Sequence, residues 1–307
     1  MTLPVGAREA VRVGGGDINE AFRVVLADGA EAFVKTRADA APGEYAAEAA
    51  GLAWLAQPGA VRTPRVLEVD ERYLALEWIA PSPSGGLDAA SAEELGRGLA
   101  ATHSAGAPCF GLATGPGAAG ASAGASATGT GAAGEEGATA GGPTPARFGS
   151  LSLPNDPTRD WPSFYAERRL RPLLRIARAR GALRASAMTA VEAVCERLPE
   201  LVGPAEPPAR LHGDLWSGNV MVDAGGRPWL IDPSAYGGHR EVDLAMLRLF
   251  GAPSQRVFDA YEELAPLAEG WRERVELYQL LPLLVHALLF GGSYAGAAER
   301  AARRYVR

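Results

Sequence analysis

Apolar and polar positions alternate through the first eighty residues. The alternation runs through AVRV (10–13), AFRVVL (21–26) and EAFVK (31–35), and again through RVLEVD (65–70) and YLALEWI (73–79). A period of two predicts strands with one face on a core. The Asp28-Gly29 pair predicts a tight hairpin between the second and third of them. Residues 43–55, GEYAAEAAGLAWL, replace the alternation with good helix formers at helical spacing. From residue 88 the longer period dominates. A helix is predicted over 88–106 with Asp88 as its N-cap, and His103 near its end reads as structural. Another is predicted to start near Pro162 behind Asp160, with further helices over 185–198 and 241–251 and a mostly helical remainder. The run LLPLLVHALLF (280–290) holds Pro282 and His286 and is too short to span a bilayer, so a buried helix is expected. Between these helices, VMVD (220–223), the turn AGGR and PWLID (228–232) predict one small hairpin. The order implies an α+β chain in two lobes: a strand-rich lobe over 1–80 and a helix-rich lobe over 81–307, joined through the Pro/Gly/Ser segment PSPSGG.

Composition changes this picture in one place. Residues 113–142 are almost wholly Ala, Gly, Ser, Thr and Pro, with only Glu135 and Glu136 charged. Such a stretch cannot bury a core, and a disordered insertion is expected there. At 307 residues the chain can bury a sizeable core. Its net charge of −6 argues against a nucleic-acid or anionic-membrane partner. Cys109 and Cys195 have no metal-type spacing and read as idle thiols of a reducing, cytoplasmic compartment. The N-terminus shows no apolar signal core.

The chemistry concentrates in HGDLWSGN (212–219), followed by IDP (231–233). Asp, Gly and Asn in a loop ordinarily mean a turn. Here, however, Asp214 stands two residues after His212 and five before Asn219, the spacing of a kinase catalytic loop. The hairpin would bring Asn219 and Asp232 to the same end of two strands. In that arrangement Asp214 is the catalytic base, and Asn219 and Asp232 are the oxygen ligands of magnesium. The glycine-rich turn GGGDIN (14–19) offers backbone amides of Gly15, Gly16 and Asp17 to phosphates. Lys35, the only lysine in the chain, lies on the third strand, where a kinase lysine meets the α- and β-phosphates of ATP. Glu44 and Glu48 are both candidates to pair with it, and Glu48 is favoured because the apolar run that would pack on the sheet follows it. Glu77 and Ile79 of LEWI are expected to meet adenine through their backbone, with Trp78 between them packing more than binding.

These segments together resemble the fructosamine kinase (ketosamine-3-kinase) family, within the protein-kinase-like fold shared with aminoglycoside phosphotransferases. The resemblance rests on GGGDINEAFRV (14–24), FVK (33–35), LEWI (76–79), FG (148–149), DWPSFYAERRLRP (160–172), LHGDLWSGNVM (211–221) and IDPSAYGGHREVDLAM (231–246), nearly the whole chain outside 113–142. HGD and Asp232 alone would also serve an aminoglycoside, choline or homoserine kinase. Trp216 and the Tyr236–Asp243 block narrow the match. A nucleotide-binding pseudokinase would have lost one of Lys35, Asp214, Asn219 or Asp232, and all four are present. The resemblance implies ATP- and magnesium-dependent phosphorylation of the 3-hydroxyl of ketosamines, free or on glycated protein, as a deglycation step by a monomer. It also implies a sugar site lined by His212, Trp216, Tyr236 and His239, and a scaffold role for Asp243. Some family members carry a cysteine in the glycine-rich turn. Asp17 stands there in this chain, so no redox-linked dimer is expected.

Overall fold

The computed structural model describes residues 7–14, 19–83, 85–112 and 145–306. Gly15, Gly16 and Asp17 of the glycine-rich turn, and the low-complexity stretch 113–142, lie outside the described residues. The five alternating segments form one antiparallel sheet. Its strands are β1 (Ala7–Val13), β2 (Glu20–Leu26), β3 (Glu31–Thr36) and, after helix α1 (Glu44–Ala56), β4 (Val66–Asp70) and β5 (Tyr73–Glu77). Their order is β1-β2-β3-β5-β4. The period-two pattern sorts their side chains onto two faces. Leu74 and Leu76 pack with Tyr45 and Leu52 of α1, and Phe33 packs against this cluster. Tyr73 and Ala75 join Phe22, Val24 and Val34 in a separate cluster. Lys35 is two residues beyond Phe33, so it projects from the face that α1 covers. The register sets it opposite Ala21 on one side and Leu74 on the other.

The second part of the chain starts with α2 (Ala89–Ser104), which Asp88 caps in a reciprocal box with Ser91. The short strand β6 (Gly111–Leu112) and the hairpin β7 (Ala146–Phe148)–β8 (Leu151–Leu153) follow. Asp160 caps α3 (Trp161–Phe164), accepting from the Ser163 amide at 2.8 Å. A π-helical turn, Tyr165–Leu170, continues into α4 (Arg171–Arg180), and α5 (Ala185–Leu201) comes next. Then come β9 (Ala209–Leu211), the hairpin β10 (Val220–Val222)–β11 (Pro228–Leu230) and β12 (Tyr236–Gly238). The chain ends in α6 (Glu241–Leu247), α7 (Gln255–Leu264), α8 (Trp271–Tyr278), α9 (Leu280–Phe290) and α10 (Tyr294–Tyr305). The largest core cluster joins buried residues of α3, α4, α5, α9 and α10. Among the described residues no helix is long and apolar enough to cross a membrane.

The predicted helices and the 220–232 hairpin form where expected, except that the helix expected over 241–251 stops at Leu247. The sheet β6-β12-β9 was not anticipated. Its strands are two or three residues long and carry no measurable period. The segment after β5 is stitched to the hairpin: the Ser82 amide donates to Val222 O and the Ala224 amide to Ala80 O, both at 2.8 Å. Both parts of the chain are thereby held against one cleft.

Candidate active site

A cleft of about 440 Å³ opens between the α1-covered face of the sheet and the loops after β9 and β11, with Lys35, Glu48, Asp214, Asn219 and Asp232 among its lining residues. The Lys35 ammonium bonds Asp232 Oδ1 at 2.8 Å and is ion-paired with the Glu48 carboxylate. Glu44, one turn earlier on α1, takes Arg37 instead at 2.7 Å. A strand, a helix and the loop after β11 therefore meet at one amine that is only 5% exposed.

The loop after β9 is held from below by Asp243 at the start of α6. Its carboxylate accepts from the His212 amide at 2.7 Å and the Gly213 amide at 2.9 Å, and it lies 3.2 Å from His103 Nε2. The His212 ring braces the same turn: Nε2 is 2.9 Å from Ile231 O, and Nδ1 accepts from the Asp214 amide at 3.2 Å. Gly213 has φ +81°, and a Cβ there would come within 2.0 Å of Ser234 O, so only glycine lets the loop close. Asn219 Nδ2 donates to Asp214 O at 2.8 Å and reaches Asp214 Oδ2 at 3.2 Å. The Ile231 amide bonds Asn219 O at 3.1 Å, which brings Asp232 beside Asn219. Asp232 is the one non-glycine with positive φ (54°) among the described residues. That conformation costs of order 1–3 kcal/mol and concentrates at functional sites.

The electrostatics follow from three carboxylates around one ammonium. Burial pushes the Asp214 carboxyl up to about 7, and the nearby Asp232 charge adds to the effect. Burial likewise lifts Glu48 to about 7 against the pull of Lys35. At Asp232 burial opposes ionisation, but Lys35 outweighs it and holds the group below the ordinary carboxylate range. Burial opposes the charge of Lys35 too, yet Asp232 and Glu48 keep it raised and protonated.

Opposite this polar floor stands an aromatic wall, made of Trp216, Phe250, His286, Phe290 and Tyr294. The Trp216 ring lies over Gly218, where a Cβ would come within 2.2 Å of the indole. Trp216 meets Phe250 edge-on at 6.3 Å, and Phe250 meets His286 at 4.5 Å between ring centroids. Tyr294 and Phe290 stand 5.1 and 5.4 Å from the same imidazole.

The family model described as fructosamine kinase matches residues 3–119 and 139–307. The chain belongs to the fructosamine kinase family. A Thermus thermophilus protein named a probable ketoamine kinase is 36% identical over 292 residues, covering 95% of this chain and 92% of that protein. An Escherichia coli protein of the same designation is 32% identical over 299 residues, covering 95% and 91%. The crystal structure of a Thermobifida fusca protein, provisionally designated fructosamine-3-kinase, matches with TM-score 0.81 at 42% identity, covering 98% of this chain and 94% of that one. An ADP-bound aminoglycoside phosphotransferase shares the fold, with TM-score 0.61 at 13% identity over 99% of this chain and 96% of that one. The bilobal protein-kinase-like fold expected from the sequence is borne out, and the chain is a phosphotransferase of this family.

Within this fructosamine kinase fold, the expected site residues fall into three groups. Lys35, Glu48, Asp214, Trp216, Asn219 and Asp232 all meet at the cleft. Glu77 ends β5, Trp78 and Ile79 follow it, and all three lie outside the lining of this cleft. The Glu77 amide bonds Arg65 O at 2.9 Å, and the Trp78 ring stacks with the Arg23 guanidinium at 5.2 Å. His212, Tyr236 and His239 lie in the interior. His212 is 1% exposed with both ring nitrogens engaged. Tyr236 is fully buried under Arg169, 4.1 Å from its guanidinium carbon. His239 is stacked on Tyr278 at 5.3 Å. These three rings support the loops from behind, and their assignment to the sugar site is not carried forward. The sequence reading missed Phe250, His286, Phe290 and Tyr294, which arrive from the turn after α6 and from α9 and α10. The one signal for them was a histidine inside an otherwise apolar run.

Proposed function

We propose that the cleft transfers the γ-phosphoryl group of ATP to the 3-hydroxyl of a ketosamine, free or on a glycated protein, as a deglycation step. The observation that carries this reading is the meeting of Lys35, Glu48, Asp214, Asn219 and Asp232 beside an aromatic wall. The family supports the acceptor class.

The donor set fits a divalent cation. Asn219 and Asp232 offer hard oxygen ligands, and Lys35 keeps the Asp232 carboxylate ionised. Magnesium held by Asn219 and Asp232 would offset negative charge on the phosphates. The chain's own groups do the rest. Lys35, oriented by Glu48, holds the α- and β-phosphates, helped by the amides of Gly15, Gly16 and Asp17. The strand end at Glu77–Ile79 is assigned to adenine. Asp214 accepts the proton of the acceptor hydroxyl as its oxygen bonds to the γ-phosphorus and the bond to the β–γ bridging oxygen breaks. A carboxyl lifted toward 7 suits that exchange. Most of the rate enhancement then comes from positioning and charge placement.

The test is ATP turnover over a panel of ketosamines and aminoglycosides, with the phosphorylated position read by NMR. A 3-phosphorylated ketosamine is the expected product. Turnover of aminoglycosides alone would replace the acceptor class.

A further inference from the structure

His286 carries chemistry that the phosphoryl-transfer mechanism does not use. Its Nδ1 lies 2.8 Å from the Pro282 carbonyl one turn earlier on α9, and a carbonyl can only accept. The proton therefore sits on Nδ1, and Nε2 presents a lone pair. No described residue hydrogen-bonds Nε2. The ring lines the cleft among Trp216, Phe250, Phe290 and Tyr294. Burial lowers its basicity, which keeps the acceptor neutral. A single acceptor set in aromatic surface suits a donor that also carries positive charge, because aromatic faces attract cations. A hydroxyl would gain only the hydrogen bond. The amine of a ketosamine is a secondary ammonium near neutral pH, and a simple ketose has no such group.

Resting on the ketosamine reading, we propose that His286 is a specificity-determining residue that recognises the acceptor's amine. Its Nε2 accepts from the ammonium N–H while Trp216, Phe250 and Tyr294 surround the charge. The test compares a 1-alkylamino-1-deoxyfructose with 1-deoxyfructose, which keeps the sugar and lacks the nitrogen. His286→Phe should lower kcat/KM for the amine-bearing sugar about tenfold or more and leave the value for 1-deoxyfructose nearly unchanged. His286→Gln, which restores an acceptor oxygen, should recover part of the loss. KM for ATP and Tm should stay put in both. Equal losses on both sugars, or none, would overturn the proposal. In the wild-type protein the ¹⁵N signal of Nε2 should shift on saturation with the ketosamine and stay fixed with 1-deoxyfructose. A fixed signal with both overturns it without any variant. A wild-type enzyme that phosphorylates neither sugar refutes the acceptor class. One that treats both alike refutes only the role of His286.

The lysine content supports a separate inference. Lys35 is the only lysine in the chain, is 5% exposed, and is held between Glu48 and Asp232. Glycation begins when a neutral amine attacks an aldose carbonyl carbon; water leaves and the imine rearranges to a ketosamine. Arginine side chains stay protonated and do not take this route. We infer that the folded chain has no side chain that can become a ketosamine, which leaves its α-amine as the one amine open to glycation, and that it stays active in aldose concentrations that glycate lysine-rich enzymes. The chain would be incubated with ribose under argon with a chelator, which suppresses dicarbonyls, and then mapped by peptide mass. The Lys35 peptide should remain unmodified and activity should match the sugar-free control. The double variant Arg72→Lys, Arg272→Lys, whose parent side chains are 66% and 63% exposed, should gain adducts at both positions. An adduct on Lys35, or activity lost faster than in the sugar-free control, would overturn the inference.

Discussion

The floor and the wall of the cleft face the same space and are built on opposite principles. The floor is made of charged groups whose positions are set one hydrogen bond at a time, from Asp243 to the His212 and Gly213 amides and from Asn219 to Asp214. The wall is made of rings held by packing, with centroids 4.5 to 6.3 Å apart and no shared bond geometry. Directional bonds demand particular residues at particular spacings. Packing demands bulk and shape, which many sequences can supply. A floor built this way should lose chemistry abruptly when altered, and a wall should lose affinity by degrees.

The largest effect is expected at the centre of the floor. Asp214→Asn should lower kcat by about 10²–10⁴-fold while ATP affinity by calorimetry stays within a few-fold, because the base meets the acceptor. Near-normal kcat on a ketosamine would sink the assignment. Next comes the support beneath it. Asp243 is fully buried, and Asp243→Ala strands two amide donors at a cost of about 1–3 kcal/mol each. Tm and kcat should fall together, whereas a wall variant should move KM alone.

A third prediction separates the cleft from its backing. Burial pushes His239 down to about 4 from an ordinary value of 6.5. Between those values the unfolded chain binds a proton that the folded chain refuses, so folding stability falls as pH drops from about 6.5 toward about 4. The loss is on the order of 3 kcal/mol at most. His239→Gln should reduce that slope in urea titrations at several pH values, with His212 and His286 still contributing, and leave KM for ketosamine unchanged. A raised KM with an unaltered slope would return His239 to the sugar site. The smallest effect is expected at the wall. Trp216 is 37% exposed, so Trp216→Phe should raise KM for ketosamine about 2- to 10-fold and leave KM for ATP and Tm nearly alone. A drop in Tm with both KM values raised would make Trp216 a core residue.

The sequence by itself determined the parts that depend on local rules. Period-two alternation placed β1 to β5, Asp88 and Asp160 announced their helices, and the spacing from His212 to Asn219 with Asp232 beyond named the floor before any coordinates. Glu48 was separable from Glu44 because α1 must lay its apolar run on the sheet, and Lys35 projects from that face. Tertiary structure alone decided the rest. His212, Tyr236 and His239 look like substrate residues in the linear chain because they flank the active loops, yet their rings turn inward to brace those loops. Phe250, in the turn after α6, and the helix residues His286, Phe290 and Tyr294 are unremarkable until α9 and α10 fold beside the loop that carries Trp216. Hydrogen-bonded sites leave fixed spacings because backbone geometry transmits them over a few residues. A packed wall is assembled from distant helices by burial, which has no direction and leaves no spacing to read.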